Sequence, residues 1–220
     1  MKGLFIKDWK LLTRQKSMLF IVLAIILFFP MLEMDSGFIV SYTMVILLFM
    51  TVSTISYDDF DNGMAFLFTL PIDRKTYVRE KYALGLIVAV GSWIFAVAVN
   101  VVYMVVMANE SASAITEVVL VDLLIFPVAL IMWEVILPLQ LKFGAEKARI
   151  VLFIVAGVIA VLGVISSKIA EGREGQMNNL VKTLEQIGPM GVGIALFTIA
   201  MIGLLISYMS SVRIVGKKEY

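Results

Sequence analysis

Six long apolar runs separated by short charged segments occupy most of this 220-residue chain. They lie at about 17–32, 37–56, 82–108, 118–141, 150–167 and 190–212. A bilayer core of ~30 Å takes ~20 mostly apolar helical residues to cross, so each run is a transmembrane segment by length and composition. Lipid offers no partner to an unpaired backbone N–H or C=O, so each crossing must be a helix. Residues that are 61% hydrophobic and only 16% charged, with a mean hydropathy of +0.99, agree with that reading.

The positions of Lys and Arg set the orientation. Lys2, Lys7, Lys10, Arg14 and Lys16 precede the first run, and Arg74, Lys75, Arg79 and Lys81 fill the second gap. Lys142, Lys147 and Arg149 occupy the fourth gap, and Arg213, Lys217 and Lys218 the tail. Only Lys168, Arg173 and Lys182 fall in the other gaps, while Glu33, Asp35, Glu110, Glu117, Asp122, Glu171, Glu174 and Glu185 do. Positively charged loops stay on the cytoplasmic side, so six spans with both termini cytoplasmic are predicted. The net charge of +1 conceals this polarity and points to no nucleic-acid partner.

A cleavable signal peptide is not expected, because no small-x-small pattern follows the first apolar run. Without Cys or His there is no disulfide and no ordinary zinc or haem site, and no metal is expected. The short loops leave no space for a soluble domain, so residues 1–220 read as one membrane domain with both ends in the cytoplasm.

Four stretches say more than the spans. In 1–16, Phe5, Trp9 and Leu12 recur at helical spacing on one side, with Lys7, Lys10 and Arg14 on another. That is the pattern of a helix lying in the cytoplasmic interface among membrane lipids, and its ordered stripe favours this over a flank that only sets topology. The loop 57–81 places Met64, Phe66, Leu67, Phe68 and Leu70 between an acidic opening and Pro71, which stops a helix. Such apolar residues either form a docking surface, a short amphipathic helix in a partner's groove, or fold back onto the spans. The basic hairpin 142–149 contains Gly144, which permits a tight reversal. In the outer segment 168–189, Met177, Leu180, Val181, Leu184 and Ile187 share a helical spacing, giving a surface helix that either caps the path between spans or lies passively in the interface.

Three of these pieces carry a resemblance. Asp61-Asn62-Gly63 followed by Phe66-Leu67-Phe68-Thr69-Leu70-Pro71-Ile72-Asp73-Arg74-Lys75 is similar to the first cytoplasmic loop of bacterial ABC-2 type permeases, in their short six-span branch. Lys2-Gly3-Leu4-Phe5-Ile6-Lys7-Asp8-Trp9 resembles the N-terminal elbow helix of that family. Pro138 with Lys142-Phe143-Gly144 and Arg149 resembles its second cytoplasmic loop.

The resemblance implies an all-α permease of six spans with an elbow helix and a cytoplasmic coupling helix, in the bacterial cytoplasmic membrane. It further implies ATPase coupling through Asp61, Gly63, Phe66, Leu67, Leu70, Pro71, Arg74, Lys142, Gly144 and Arg149. Two permease subunits, identical or closely related, would pair with two separate ATPase subunits. ATP and Mg would then bind the partner and no cofactor this chain. Its resembling relatives include permeases for peptide toxins and antimicrobial peptides, so an exported amphipathic or hydrophobic substrate is expected. The chain agrees by omission: Gly216-Lys217-Lys218 lacks the upstream glycine and the hydroxyl residue of a phosphate-cradling loop, so it is not expected to be an enzyme by itself.

Within the spans Glu134 stands out between Pro127 and Pro138. A carboxylate at that depth should face protein or a wet cavity. It would meet a cationic part of a substrate, couple to a proton, or serve packing by satisfying backbone groups freed by Pro138 or pairing with a residue such as Asn100. Gly203, Ser207 and Ser211 form a small-xxx-small row suited to close helix packing. A secondary transporter driven by an ion gradient would show paired intramembrane acids and an internal repeat. One deep acid and no repeat argue against it. A membrane scaffold would account for the docking loop but not for the breadth of the resemblance.

Overall fold

The computed structural model describes the backbone of residues 2–32, 34–60, 63–171 and 174–218, and their side chains except at 145, 146, 148, 149, 151–187 and 189. Helix accounts for 91% of the described residues, which contain no strand. The order is α1 (Lys2–Arg14), α2 (Lys16–Phe28, continued by a 3-10 turn Phe29–Leu32), α3 (Ser36–Asp59), α4 (Gly63–Leu67), α5 (Arg74–Val106), α6 (Ala112–Glu171) and α7 (Glu174–Lys217).

Local chemistry explains the boundaries. Asp35 caps α3 by accepting from the Phe38 N–H at 3.3 Å, satisfying a donor that the first helical turn leaves free. Pro71 precedes α5, and Asn109 at φ 55° ends the stretch after Met107. α6 runs through Pro127 and Pro138 and turns only at Gly144 (φ 74°, ψ 175°). α7 turns at Gly188 (φ 69°, ψ 167°). Both angles lie in the left-handed region that a Cβ disfavours, so glycine makes both reversals possible.

Among the described residues, four helices are long and apolar enough to cross a membrane: Ser36–Asp59, Arg74–Val106, Ala112–Gly144 and Met190–Lys217. The pair Lys2–Arg14 and Lys16–Leu32, bent by 66°, provides a fifth crossing if counted as one span. The expected first span at 17–32 coincides with α2 and its 3-10 turn, whose Lys16–Leu32 stretch meets the length of a crossing only when taken with α1. The run 150–167 has helical backbone, but its side chains lie outside the described residues. The helices also overrun the apolar runs, α5 beginning at Arg74 rather than near residue 82.

α3 is the most enclosed of the four and packs against both α5 and α6, while α6 packs on α7. Val40, Met44, Leu48, Val52 and Ile55 of α3 meet Ala89 and Ala96 of α5 and Ala129, Trp133, Ile136 and Leu137 of α6. Outward residues such as Phe20, Ile94, Val102, Ile194, Leu205 and Met209 form the apolar exterior that lipid requires. Hydroxyls in the spans bond back one turn, as from Thr43 to the Ile39 carbonyl at 2.7 Å and from Thr54 to the Thr51 carbonyl at 2.7 Å.

The centre is an aromatic girdle. The Trp133 indole lies where a Cβ on Gly85 would stand, and its Nε1–H donates to Thr51 Oγ1 at 3.2 Å. Tyr82 packs edge-on against Trp133, with ring centroids 5.4 Å apart. Its hydroxyl lies 2.6 Å from Ser207 Oγ and 2.9 Å from Ser211 Oγ of α7. Gly85→Val is therefore expected to drive a side chain into the indole and cost about 1–3 kcal/mol. Gly91→Val, where an added Cβ meets nothing within 4 Å, is expected to leave the thermal midpoint of the detergent-purified protein unchanged.

Candidate functional site

One end of the bundle gathers pieces that are far apart in sequence. Residues 4, 8 and 12 of α1 form its packed face, so Leu4, Asp8 and Leu12 are buried. The apolar residues expected in the interface divide: Leu12 is buried in the bundle and Phe5 is half-buried and stacked on Trp9 at 6.2 Å, while Trp9 and Ile6 point outward. Asp8 is fully buried, at 0% exposure, and enters the bundle beside Lys81 of α5, itself 2% exposed.

Lys81 Nζ pairs with Asp8 Oδ2, with Asp58 Oδ2 at 2.7 Å and with Thr54 Oγ1 at 3.0 Å. Lys7 Nζ pairs with Asp58 Oδ1 and reaches Asp8 Oδ1 at 3.1 Å. The Tyr77 hydroxyl donates to Asp58 Oδ2 at 3.0 Å, and its ring lies 5.1 Å from Lys81 Nζ. Two cations and two anions thus alternate at the junction of α1, α3 and α5, with the buried Glu80 alongside. Burial opposes the Lys7 charge, but the facing Asp58 and Asp8 carboxylates outweigh it and hold the ammonium above the ordinary lysine value of 10.5. Lys7 therefore keeps its charge throughout the physiological range.

The segment after Asp58 turns immediately. Phe60 is extended (φ −67°, ψ 137°), and a Cβ on Gly63 would sit 2.8 Å from the Asp58 carbonyl, so glycine lets the loop fold against the end of α3. α4 spans five residues and is followed by turns, with Thr69 N–H donating to the Phe66 carbonyl and Leu70 N–H to that of Leu67. The loop's apolar side chains divide between the core and the exterior. Met64 is buried and Leu67 and Phe68 pack on the core, whereas Phe66 is 70% and Leu70 43% exposed, with Pro71 beside them.

Arg74 does not project from the loop. Its Nη1 donates to the carbonyls of Gly216 at 2.7 Å and Val215 at 3.3 Å, and its guanidinium lies 5.7 Å from the Phe68 ring centre. It thereby ties the start of α5 to the end of α7. The second hairpin reaches the same end: a Cβ on Gly144 would lie 3.1 Å from Asp59 Oδ2, and Gln140 Nε2 donates to Ser56 Oγ at 2.8 Å. Lys142 is exposed and stands 4.9 Å from the Phe143 ring centre. Asp61 and the Arg149 side chain lie outside the described residues, as do the side chains of 177–187.

Glu134 is 3% exposed, with Oε2 filling the space a Cβ would take at Gly203 and Oε1 without a partner among the described residues. Ser207 Oγ donates to the Glu134 carbonyl at 2.5 Å. Asn100 is not its partner. Asn100 bonds the Ser36 carbonyl at 3.4 Å, in a group at the opposite end of the bundle where Ser36 Oγ donates to Asp122 Oδ1 at 3.3 Å and Trp93 Nε1 to the Asp122 carbonyl at 2.9 Å.

The sequence singles out neither Tyr77 nor Thr54, and it shows Asp8 only within the elbow-like stretch and Asp58 only within the acidic opening of the loop. One signal was available: Asp8 is the only acid before Glu33, set among five bases and four residues from both Leu4 and Leu12. Among the described residues no group of three or more Asp or Glu side chains is placed to hold a metal ion. Apolar clefts of about 610 Å³ between α2 and α5 and about 670 Å³ between α6 and α7 face outward.

These features define a multi-pass helical membrane protein whose charged end is built from its N-terminal helix, its longest loop and its C-terminal turn. The sequence model of the ABC-2 family transporter protein matches residues 3–216, and the chain belongs to that family. No curated protein and no solved structure matches it. Members are the membrane component of an ABC transporter, not themselves catalytic, and membership implies association with an ABC ATPase subunit.

Two outcomes follow from this geometry. Lys81→Met leaves Asp8 and Asp58 buried with less compensation and is expected to destabilise the protein by about 3–5 kcal/mol, read as a lower thermal midpoint. Glu134→Gln, which keeps shape and hydrogen-bonding capacity, is expected to preserve expression and melting temperature. Glu134→Leu, placing a branched side chain against Gly203, is expected to lower both.

Proposed function

We propose that this chain is the permease of an ATP-driven exporter in the bacterial cytoplasmic membrane, with both termini in the cytoplasm. Residues 1–220 make one domain of six spans, α1 serving as the elbow helix and α4 with its flanking turns as the coupling element. Two such chains, or one with a close relative, enclose a route lined partly by the second and fifth spans. Two separate ATPase subunits bind ATP and Mg and grip the loop. The cargo is amphipathic or hydrophobic, of the peptide toxin or antimicrobial peptide kind, and Glu134 stands beside its path.

The observation that carries this reading is the pair of exposed apolar side chains, Phe66 and Leu70, held on a braced loop at the charged end of a family permease. Water does not favour such a display, and a groove on a partner would bury it. Met64, Leu67 and Phe68 hold the loop onto the bundle and leave Phe66 and Leu70 to the partner. Lys142 and Gly144 belong to the second hairpin beside the loop, and the family resemblance gives Asp61, Gly63 and Arg149 the same coupling role.

Burying one large apolar side chain contributes roughly 1.5–3 kcal/mol. The double change Phe66→Asp, Leu70→Asp is therefore expected to release the ATPase during affinity purification while membrane insertion and monodispersity persist. Full retention of the ATPase by that variant, with native hydrolysis, would sink the assignment.

A further inference from the structure

The buried charges at the junction of α1, α3 and α5 have a position that packing alone does not require. Asp58 is the penultimate residue of α3, just before the loop, and Lys81 lies two turns into α5, just after it. The loop is thus bracketed by two members of one ion-pair network, bonded to each other at 2.7 Å. The remaining members, Lys7 and Asp8, come from α1, separated from their partners by 51 and 73 residues of chain. Tyr77 and Thr54 fill the remaining hydrogen-bonding directions around Asp58 and Lys81.

We propose that Lys7, Asp8, Asp58 and Lys81 are positioning residues that clamp α1 to both ends of the loop, so that loop and N-terminal helix move as one body. The physical ground is the cost of separating them. Removing one partner from a desolvated pair leaves an uncompensated charge, so the network either stays whole or opens at a large penalty. A displacement of the loop is therefore delivered to α1, and through the 66° bend at Gln15 to α2, before it can be absorbed by local flexing. The part that concerns nucleotide rests on the proposed function, with the ATPase acting on the loop. The clamp itself does not.

The experiment uses a chain with no native cysteine. Lys10→Cys on α1 and Thr69→Cys on the loop, both at exposed positions, carry spin labels for pulsed dipolar distance measurement on the permease alone in lipid nanodiscs. A single narrow distance is expected. Lys81→Met is expected to at least double its width, whereas Lys81→Arg, which keeps the charge facing Asp8 and Asp58, is expected to keep it narrow. Should Lys81→Met fail to purify as a single species, Asp8→Asn is read in the same way. An unchanged width in both Lys81→Met and Asp8→Asn overturns the clamp, and so does a broadening in Lys81→Arg as large as in Lys81→Met, since plain loss of packing would look the same.

The second arm uses the copurified complex with labels at Lys10 and Met107, the latter at the outer end of α5. Mg-ATP with vanadate is expected to shift this distance in the native complex and to lose that shift in Lys81→Met while the ATPase stays bound. A full shift in Lys81→Met overturns the transmission role. If the native chain brings down no ATPase, it is the proposed function that fails, and the nanodisc measurement still decides the clamp.

Discussion

A lysine ammonium taken out of water must be surrounded by compensating groups or lose its charge, and the bundle end is arranged around that requirement at Lys81. Meeting it draws Asp8 from one helix and Asp58 from another, with Thr54 and Tyr77 filling the remaining directions. Asp8 stands at the centre of the only face α1 buries, so the same interaction sets which way α1 is rotated. That rotation turns Trp9 and Ile6 outward. The alternation of two bases and two acids also explains how so polar a junction is tolerated beside the lipid: each charge has an opposite neighbour within ion-pair distance.

Polarity elsewhere in the bundle follows the same economy on a smaller scale. The Tyr82 hydroxyl is shared between two serines, the Trp133 N–H goes to Thr51, and Arg74 spends one nitrogen on the carbonyls that end α7. Helix termini leave carbonyls unpaired, and a guanidinium placed there satisfies them while complementing the helix dipole. The charged end is consequently a single fabric of α1, the loop, the second hairpin and the last helical turn. Family membership gives that fabric its meaning, since in an ABC-2 permease energy has to enter from another subunit.

Much of this was legible in the sequence, and what was not has identifiable causes. Hydropathy reported the crossings because lipid imposes length and composition on each segment independently. It says nothing of the 66° bend between α1 and α2, which sets how the stretch 17–32 enters the bundle. The loop's divided character is half visible: the resemblance gives Phe66, Leu67 and Leu70 alike to a partner, but Leu67 packs on the core. Arg74 looked like a loop base because its carbonyl partners lie more than 140 residues away. The ion-pair network escaped for the same reason, since no local periodicity encodes a contact between α1 and α5. Glu134 was recognisable as costly, but its slot depends on the missing side chain of Gly203 on another helix.

The shared hydroxyl of Tyr82 carries a mechanical consequence. Ser207 and Ser211 sit one turn apart on α7, and both hold the same oxygen. An axial slide of α7 by one turn, about 5.4 Å, would exchange one of these hydroxyls for Gly203 or Val215, neither of which has one to offer. Tilting about the tyrosine keeps both bonds. The last helix is therefore built as a lever on a pivot rather than as a piston.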